Sequence, residues 1–151
     1  MKILRALVQR VSRAEVKVDG KTTGKIEEGL CVFLGVHKDD SKRDVNWMAE
    51  KLVNLRIFED DSGKMNRSLN EVGGSMLVVS QFTLYGDCSK GRRPSFVEAA
   101  LPDKAKACYE DFIKNVRSMG IRTEEGLFQA FMNVYLTNSG PVTLLIESRR
   151  D

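Results

Sequence analysis

The 151-residue sequence predicts an α+β fold, compact and mostly antiparallel β-sheet, with two or three helices. Three observations predict it. Strands come first, with apolar and polar residues in one-sided alternation. Two later segments repeat their apolar residues at helical spacing. Alternation then returns near the end of the chain, where a doubly wound fold would instead need buried parallel strands throughout.

Taken in order, Ala14, Val16 and Val18 alternate with Glu15, Lys17 and Asp19, the period of a half-buried strand. "DGK" at 19–21 supplies an Asp-Gly turn, and a second strand runs through Thr23 and Ile26. "GLCVFLGV" at 29–36 is a short apolar run bounded by glycine and reads as a strand buried on both faces. Ser41, with Asp44 three residues on, forms a variant capping box opening a helix over 42–54, whose apolar side is Val45, Met48, Ala49 and Leu52. "LRIFEDDSGK" reads as a short strand, then a turn from Asp60 to Gly63. A second helix is expected from Asp103 to Met119, with Pro102 before it and Gly120 to end it. Two late strands, Met132 to Leu136 and Val142 to Ile146, are expected on either side of "NSGP". No internal repeat, low-complexity tract or linker interrupts the chain, so residues 1–151 read as one domain.

Composition narrows the function. The chain is 42% hydrophobic and 30% charged, as soluble globular proteins are. No apolar run approaches the roughly 18 residues a membrane crossing requires, and Arg5, Gln9 and Arg10 interrupt any signal-peptide core. A cytoplasmic location with no membrane partner is the expectation. Cys31, Cys88 and Cys108 are odd in number and without a CxxC pair, which argues for reduced thiols partly in the core. The net charge of +3 says little by itself. "KGRRP" at 90–94 and the terminal "SRRD" gather cations locally. The first is either a solvated basic loop or a phosphate-binding one, since an arginine in a turn reaches two phosphate oxygens at once.

Many catalytic devices are missing. His37 is the single histidine, and nothing near it marks a nucleophile. There is no HExxH, P-loop or GxGxxG, so an enzyme here works without imidazole, and no metal or cofactor is expected. What remains is main chain and hydroxyls. "VVSQFTLYGD" at 78–87 begins as a buried strand, then turns polar at Ser80, Gln81 and Thr83. If the strand continues, Gln81 and Thr83 share one face and Ser80 and Phe82 the other. Two explanations stand side by side. The polar groups bond locally to turn backbone, or the strand end faces a pocket where freed amides donate to an oxyanion. Gly140-Pro141 poses a parallel question. The sequence alone favours a trans bond, in a loop able to point carbonyls outward.

"SQFTLY" at 80–85 together with "NSGPVT" at 138–143 resembles the paired signature of the D-aminoacyl-tRNA deacylases. The resemblance extends over nearly the whole chain, through "LRALVQRVSRAEVKVDG", "GLCVFLGV", "NLRIFED" and "GRRPSF". It implies the fold of that family, as a homodimer with its active site at the subunit interface. The implied substrate is tRNA charged with a D-amino acid or with glycine, and the reaction is hydrolysis of the ester to the terminal adenosine. Gly140-Pro141 would be cis and reach into the partner's site, where rigid carbonyls exclude an L side chain. Ser80, Gln81, Phe82 and Thr83 would form the opposite, catalytic wall, the amides near Phe82 and Thr83 holding the oxyanion. A positioned water would attack, helped by the ribose 2′-hydroxyl, with Thr83 orienting and not attacking. Phe82 would line the adenosine pocket, with Met132 in its floor and Ala130 and Asn138 beside the substrate. Lys90, Arg92 and Arg93 are the candidate tRNA contacts.

One departure stands out: the family's Gly-x-Phe-Gly-Ala run is "GLFQA" here, with Gln129 at the second glycine, which puts that loop's shape in question. A sister family that removes L-alanine from tRNA carries different versions of both motifs, and "SQFTLYG" favours the D-specific branch. A replication-associated nucleic-acid-binding module is the competing class. Relatives of that kind carry a tail, whereas here the chain ends a few residues after the last strand.

Overall fold

The computed structural model describes residues 2–149, so Arg150 and Asp151 of the basic "SRRD" tail lie outside the described residues. Its axis is β1 (Lys2–Val18), a single strand of 17 residues. Along one edge β1 pairs antiparallel with β8 (Asn133–Arg149). Its other edge is shared: Arg5 to Val11 pair with β3 (Gly29–Gly35), and Ala14 to Val18 with β2 (Lys21–Ile26), both antiparallel.

Beyond β3 the sheet turns parallel, through β6 (Ser75–Ser80) and then β7 (Thr123–Glu125). Parallel neighbours need crossovers. The first holds α1 (Lys42–Asn54), a small hairpin of β4 (Phe58–Glu59) and β5 (Met65–Arg67), and the four-residue α2 (Leu69–Val72). The second holds α3 (Pro102–Ser118), with Pro102 itself as the first helical residue. The sheet curls until β7 lies beside β2, with Gly24 against Glu125.

Both faces of the central strands are buried, as the unbroken apolar run at 29–36 predicted. Leu30, Val32 and Leu34 of β3 and Met76 and Val78 of β6 face α1 and α3, meeting Val45, Met48, Leu52, Phe112 and Val116. Cys31, Leu77 and Val79 face the other way and pack with Val11, Ala14, Val16 and Ile26. Each fully buried side chain of this size stabilises the fold by roughly 1.5–3 kcal/mol. Asp44 accepts from the Ser41 backbone N–H at 2.9 Å, closing the N-terminus of α1 as its spacing predicted. The same carboxylate accepts from the buried Ser148 hydroxyl at 3.0 Å, tying α1 to β8.

The structure corrects the sequence reading in three places. The two late strands are one: both halves of β8 pair with β1, and "NSGP", expected as a connecting loop, is a bulge inside a single strand. The 78–83 strand ends at Ser80 and is followed by a 3₁₀ turn, Phe82–Tyr85. Three short elements, β5, α2 and β7, were not foreseen, being too brief for a periodic pattern to register.

Candidate functional site

The 3₁₀ turn begins where the ladder stops. The Gln81 N–H still donates to the Leu34 carbonyl at 2.8 Å. The turn's own bonds then start with Leu84 N–H to Gln81 C=O at 3.3 Å, followed by Gly86 N–H to Thr83 C=O at 2.9 Å. The N–H groups of Phe82 and Thr83 precede that ladder and have no partner within the turn. Phe82 and Thr83 are exposed while Ser80 and Gln81 are half-buried. Gln81 and Thr83 come together despite the change of conformation, the Gln81 Nε2 donating to the Thr83 hydroxyl. That hydroxyl has no basic side chain among its hydrogen-bond partners.

Three residues that the sequence did not assign to the site hold the turn. Arg5 donates from Nη1 to the Leu84 carbonyl at 2.8 Å and from Nε to Glu147 at 3.0 Å. Its guanidinium lies 4.6 Å from the Tyr85 ring centroid. On the other side His37 meets Tyr85 edge-on at 5.4 Å. Burial pushes the Tyr85 phenol above its ordinary pKa, so it stays neutral. His37 is a strut: Nδ1 accepts from the Asp39 N–H at 3.0 Å, which leaves Nε2 facing Glu98 at 2.9 Å. Gly35 at the end of β3 permits the close approach, since a Cβ there would stand 3.0 Å from Leu84 Cβ and 3.1 Å from the Gln81 carbonyl.

The second motif lies in the β8 bulge. Between the pairs Gln9–Thr143 and Val11–Asn138, Arg10 alone on β1 faces residues 139–142 on β8. The surplus residues leave the ladder, so Gly140 and Pro141 stand exposed at the sheet edge. Gly140 has φ +116, open to glycine and costly for other residues, and Gly140-Pro141 is cis. Asn138 clips the bulge, its Nδ2 donating to the Arg10 and Val142 carbonyls at 3.0 Å each and its Oδ1 accepting from Thr143 at 3.1 Å. The buried Arg10 props it from the helix-covered face, donating to the Ser139 carbonyl at 3.2 Å and the Ile57 carbonyl at 2.8 Å. Arg10 carried no sequence signal beyond being a cation in a strand.

Met132 comes near the turn's strand, packed against the cluster that holds Leu77 and Val79. Ala130, by contrast, is tied within its own loop, its N–H donating to the Leu127 carbonyl at 3.1 Å. Gly126 N–H donates to the Val78 carbonyl at 3.0 Å, so the 126–132 loop leaves β7 two residues before Ser80 on β6. Met132 is half-buried beneath it, its sulfur accepting from the Leu127 N–H at 3.4 Å. Gln129 occupies the left-handed region, φ +65, so the loop keeps a glycine-like bend with a glutamine in it. Gly140, Pro141 and Asn138 are not brought to the turn within this chain. Arg5, which holds the turn, and Arg10, which props the bulge, are five strand residues apart, about 17 Å, and point to opposite faces of the sheet. Lys90, Arg92 and Arg93 are all exposed, on the loop that follows the turn. Cys31 and Cys108 are buried and Cys88 exposed, all three free. Burial pushes the Cys31 thiol up to about 12 and raises Cys108 too, so neither is a ready nucleophile. No helix of the described residues is long and apolar enough to cross a membrane.

The chain is similar to known proteins over nearly its whole length. The sequence model of the D-Tyr-tRNA(Tyr) deacylase family matches residues 7–147. The chain is 62% identical to a D-aminoacyl-tRNA deacylase of Kosmotoga olearia, over 97% of this chain and 99% of that one. It is 61% identical to one of Desulfatibacillum aliphaticivorans, over 97% and 100%. Among solved structures it resembles a c-Myc DNA unwinding element binding protein, with TM-score 0.91 and 39% identity over 97% of this chain and 99% of that one. It also shares the fold of a probable eukaryotic D-amino acid tRNA deacylase, with TM-score 0.84 and 20% identity over 98% and 100%.

Proposed function

The chain belongs to the D-Tyr-tRNA(Tyr) deacylase family, and from that premise we infer that it hydrolyses D-aminoacyl-tRNA by a mechanism run from main chain. It is a carboxylic ester hydrolase that releases a free D-amino acid and tRNA; translation, where that substrate arises, places it in the cytoplasm. The observation that carries the mechanism is the pair of N–H groups, Phe82 and Thr83, with no hydrogen-bond partner among the described residues where β6 passes into the 3₁₀ turn. Donors fixed in that way match the charge that develops on an ester carbonyl when water attacks. Removing one such donor typically costs on the order of 100- to 1,000-fold in rate. Thr83, bonded to Gln81, orients and does not attack. The ribose 2′-hydroxyl of the tRNA assists the attacking water where no basic side chain stands beside Thr83 to do so, so tRNA ending in 2′-deoxyadenosine should be hydrolysed more slowly.

Handedness is read by the β8 bulge. Ser139 and Val142 carbonyls are held by Arg10 and Asn138, and Gly140 and Pro141 are presented on a stiff frame between them. Such a frame rejects an L side chain by collision and admits D-amino acids and glycine, which extends the substrate class to glycyl-tRNA. The separation of the two motifs within one chain supports a homodimer in which each bulge completes the partner's site.

The test is direct. Purified protein is incubated with D-Tyr-tRNA, L-Tyr-tRNA and Gly-tRNA, and the charged fraction is followed. Loss of the D and glycyl esters with survival of the L ester is expected. Persistence of D-Tyr-tRNA would overturn the enzymatic reading. Hydrolysis of L-Ala-tRNA in preference to Gly-tRNA would move the chain to the sister specificity.

A further inference from the structure

Immediately after the turn the chain forms a small closed hairpin. Asp87 and Ser95 exchange backbone hydrogen bonds at 2.8 and 2.9 Å. The Asp87 carboxylate accepts from the Ser89 N–H at 2.9 Å, and Gly91 turns the tip at φ +82. Lys90, Arg92 and Arg93 are fully displayed on it. Among the described residues, Arg5, Arg10, Arg67, Arg117 and Arg122 each have a carboxylate within 4.0 Å, and none of the three hairpin cations does. Asp87 is the one acid between Gly86 and Val97, and its oxygens are turned inward to Ser89. Glu98 is engaged by His37 and Lys38. Arg13, Arg43 and Arg56 have no such carboxylate either, but only the hairpin gathers three exposed cations within four residues beside the turn.

The hairpin is seated on the candidate site. The Phe96 ring meets the Phe82 ring edge-to-face at 5.0 Å. A Cβ on Gly86 would stand 3.1 Å from Phe96 and 3.5 Å from Pro94, so the hairpin's far strand is packed onto the end of the turn. From Phe96 back to Arg92 is four residues, at most about 13 Å of chain, and less where the chain bends at Arg92 and Arg93. A polyanion whose reacting end sits at Phe82 and Thr83 would pass these cations.

We propose that the Asp87–Ser95 hairpin is a clamp for the phosphates of the single-stranded 3′ end of the substrate tRNA, with Lys90, Arg92 and Arg93 as its contacts. This rests on the deacylase reading and adds to it a site that the reaction chemistry does not require. The cations bind backbone and leave the bases unread, so the contact positions the tRNA without selecting its sequence. The arginines grip phosphate oxygens in pairs, and the lysine acts as a point charge.

Salt dependence and substrate truncation together test it. The variant is Lys90→Gln with Arg92→Gln and Arg93→Gln, exposed positions where glutamine keeps length and solubility. It is compared with wild type on D-Tyr-tRNA and on 3′-O-D-tyrosyl-adenosine, which has no phosphate. At about 0.7 per single-strand phosphate, losing three contacts makes the slope of log(kcat/KM) against log[salt] shallower by about two. KM for D-Tyr-tRNA is expected to rise at least tenfold at low salt, with kcat held within about threefold and tyrosyl-adenosine hydrolysis unaltered. An unchanged slope overturns the clamp. So does an equal loss on both substrates, because the hairpin then acts only through Phe82. Uncharged tRNA binding, read by fluorescence anisotropy, covers the remaining case. If wild type hydrolyses neither ester the deacylase reading falls, while weaker tRNA binding by the variant still upholds the clamp and equal binding sinks it. Equal competition by duplex DNA would mark a general polyanion patch and also refute the proposal.

Discussion

Arg5 on β1 donates to the Leu84 carbonyl at 2.8 Å, so the first strand of the protein sets the position of a turn 79 residues further along. The same guanidinium binds Glu147 and covers Tyr85, which leaves it no freedom to follow a displaced turn. Arg5→Ala should therefore lower kcat for D-Tyr-tRNA by roughly tenfold to a hundredfold, the usual effect of a misplacement near 1 Å. KM should change little, and Arg5→Lys should recover part of the loss because it keeps charge but loses the fork. Single-turnover rates at saturating enzyme report this. Full activity in Arg5→Ala would show that the turn holds itself.

The β8 bulge makes a second expectation specific. Gly140→Ala would place a Cβ 2.8 Å from Arg10 Nη2 and 3.0 Å from Val142 Cγ2, at a φ of +116. Such a conformation costs a non-glycine residue about 1–3 kcal/mol. The urea midpoint should fall with m unchanged, and the ratio of D- to L-Tyr-tRNA hydrolysis should shrink as the bulge relaxes away from Arg10. A destabilised variant with undiminished rejection of the L ester would separate the bulge from chiral selection.

How much of this was legible in the sequence depends on how local the cause was. The apolar run at 29–36 and the Ser41–Asp44 cap sit within single elements, and periodicity or spacing is enough to read them. The end of β6 was readable as a change of chemistry at Ser80, though not as a 3₁₀ turn, because what forces the turn is Leu84 packing over Gly35, 49 residues back. The β8 bulge was misread for the same reason. A Gly-Pro between two alternating runs reads as a loop joining two strands until β1 proves long enough to pair with both halves. Arg5 and Arg10 were invisible as props, since a cation in a strand carries no record of the carbonyl it will meet.

Gln129 offers a test in the opposite direction. At φ +65 it bears a left-handed conformation that costs an L-residue roughly 1–2 kcal/mol, against the roughly 0.5–1 kcal/mol that glycine loses in chain entropy. Gln129→Gly should raise stability by a few tenths to about 1 kcal/mol, measured by urea unfolding. Activity should hold, because the bend that carries Ala130 and Met132 already exists. A lower midpoint would mean that the glutamine side chain repays its own strain.

Acid should loosen the β4–β5 hairpin as Asp60 takes up its proton. Asp60 is held below its ordinary value of 3.8, foremost by the Asn66 side-chain amide and then by the Lys64 and Ser62 N–H groups. A depressed folded-state pKa means the contribution is fully present above that ordinary value and is lost as pH falls through the folded one. Amide shifts of Ser62 and Lys64 should hold steady from neutral pH to about 5, then move together with the Asp60 carboxyl below 4. Movement of those amides near pH 6 would assign the turn to some other group.

The last expectation concerns the open face of the sheet. Leu145 is 55% exposed on the edge strand β8 and pairs in register with Leu7, which pairs in turn with Phe33. That apolar row lies across three strands and leads on to Val79, two residues before Gln81. An edge strand of 17 residues beside uncovered leucines invites pairing, and a two-fold contact would set each copy's row against the other's. Leu145→Glu puts a charge into that contact twice, once from each subunit. Light scattering should then report the monomer mass of 17.0 kDa where wild type reports double, and D-Tyr-tRNA hydrolysis should fall with the dimer, because no bulge from a partner completes the site. A Leu145→Glu monomer that deacylates at the wild-type rate would place both motifs in one chain's own cleft and remove the cross-subunit account.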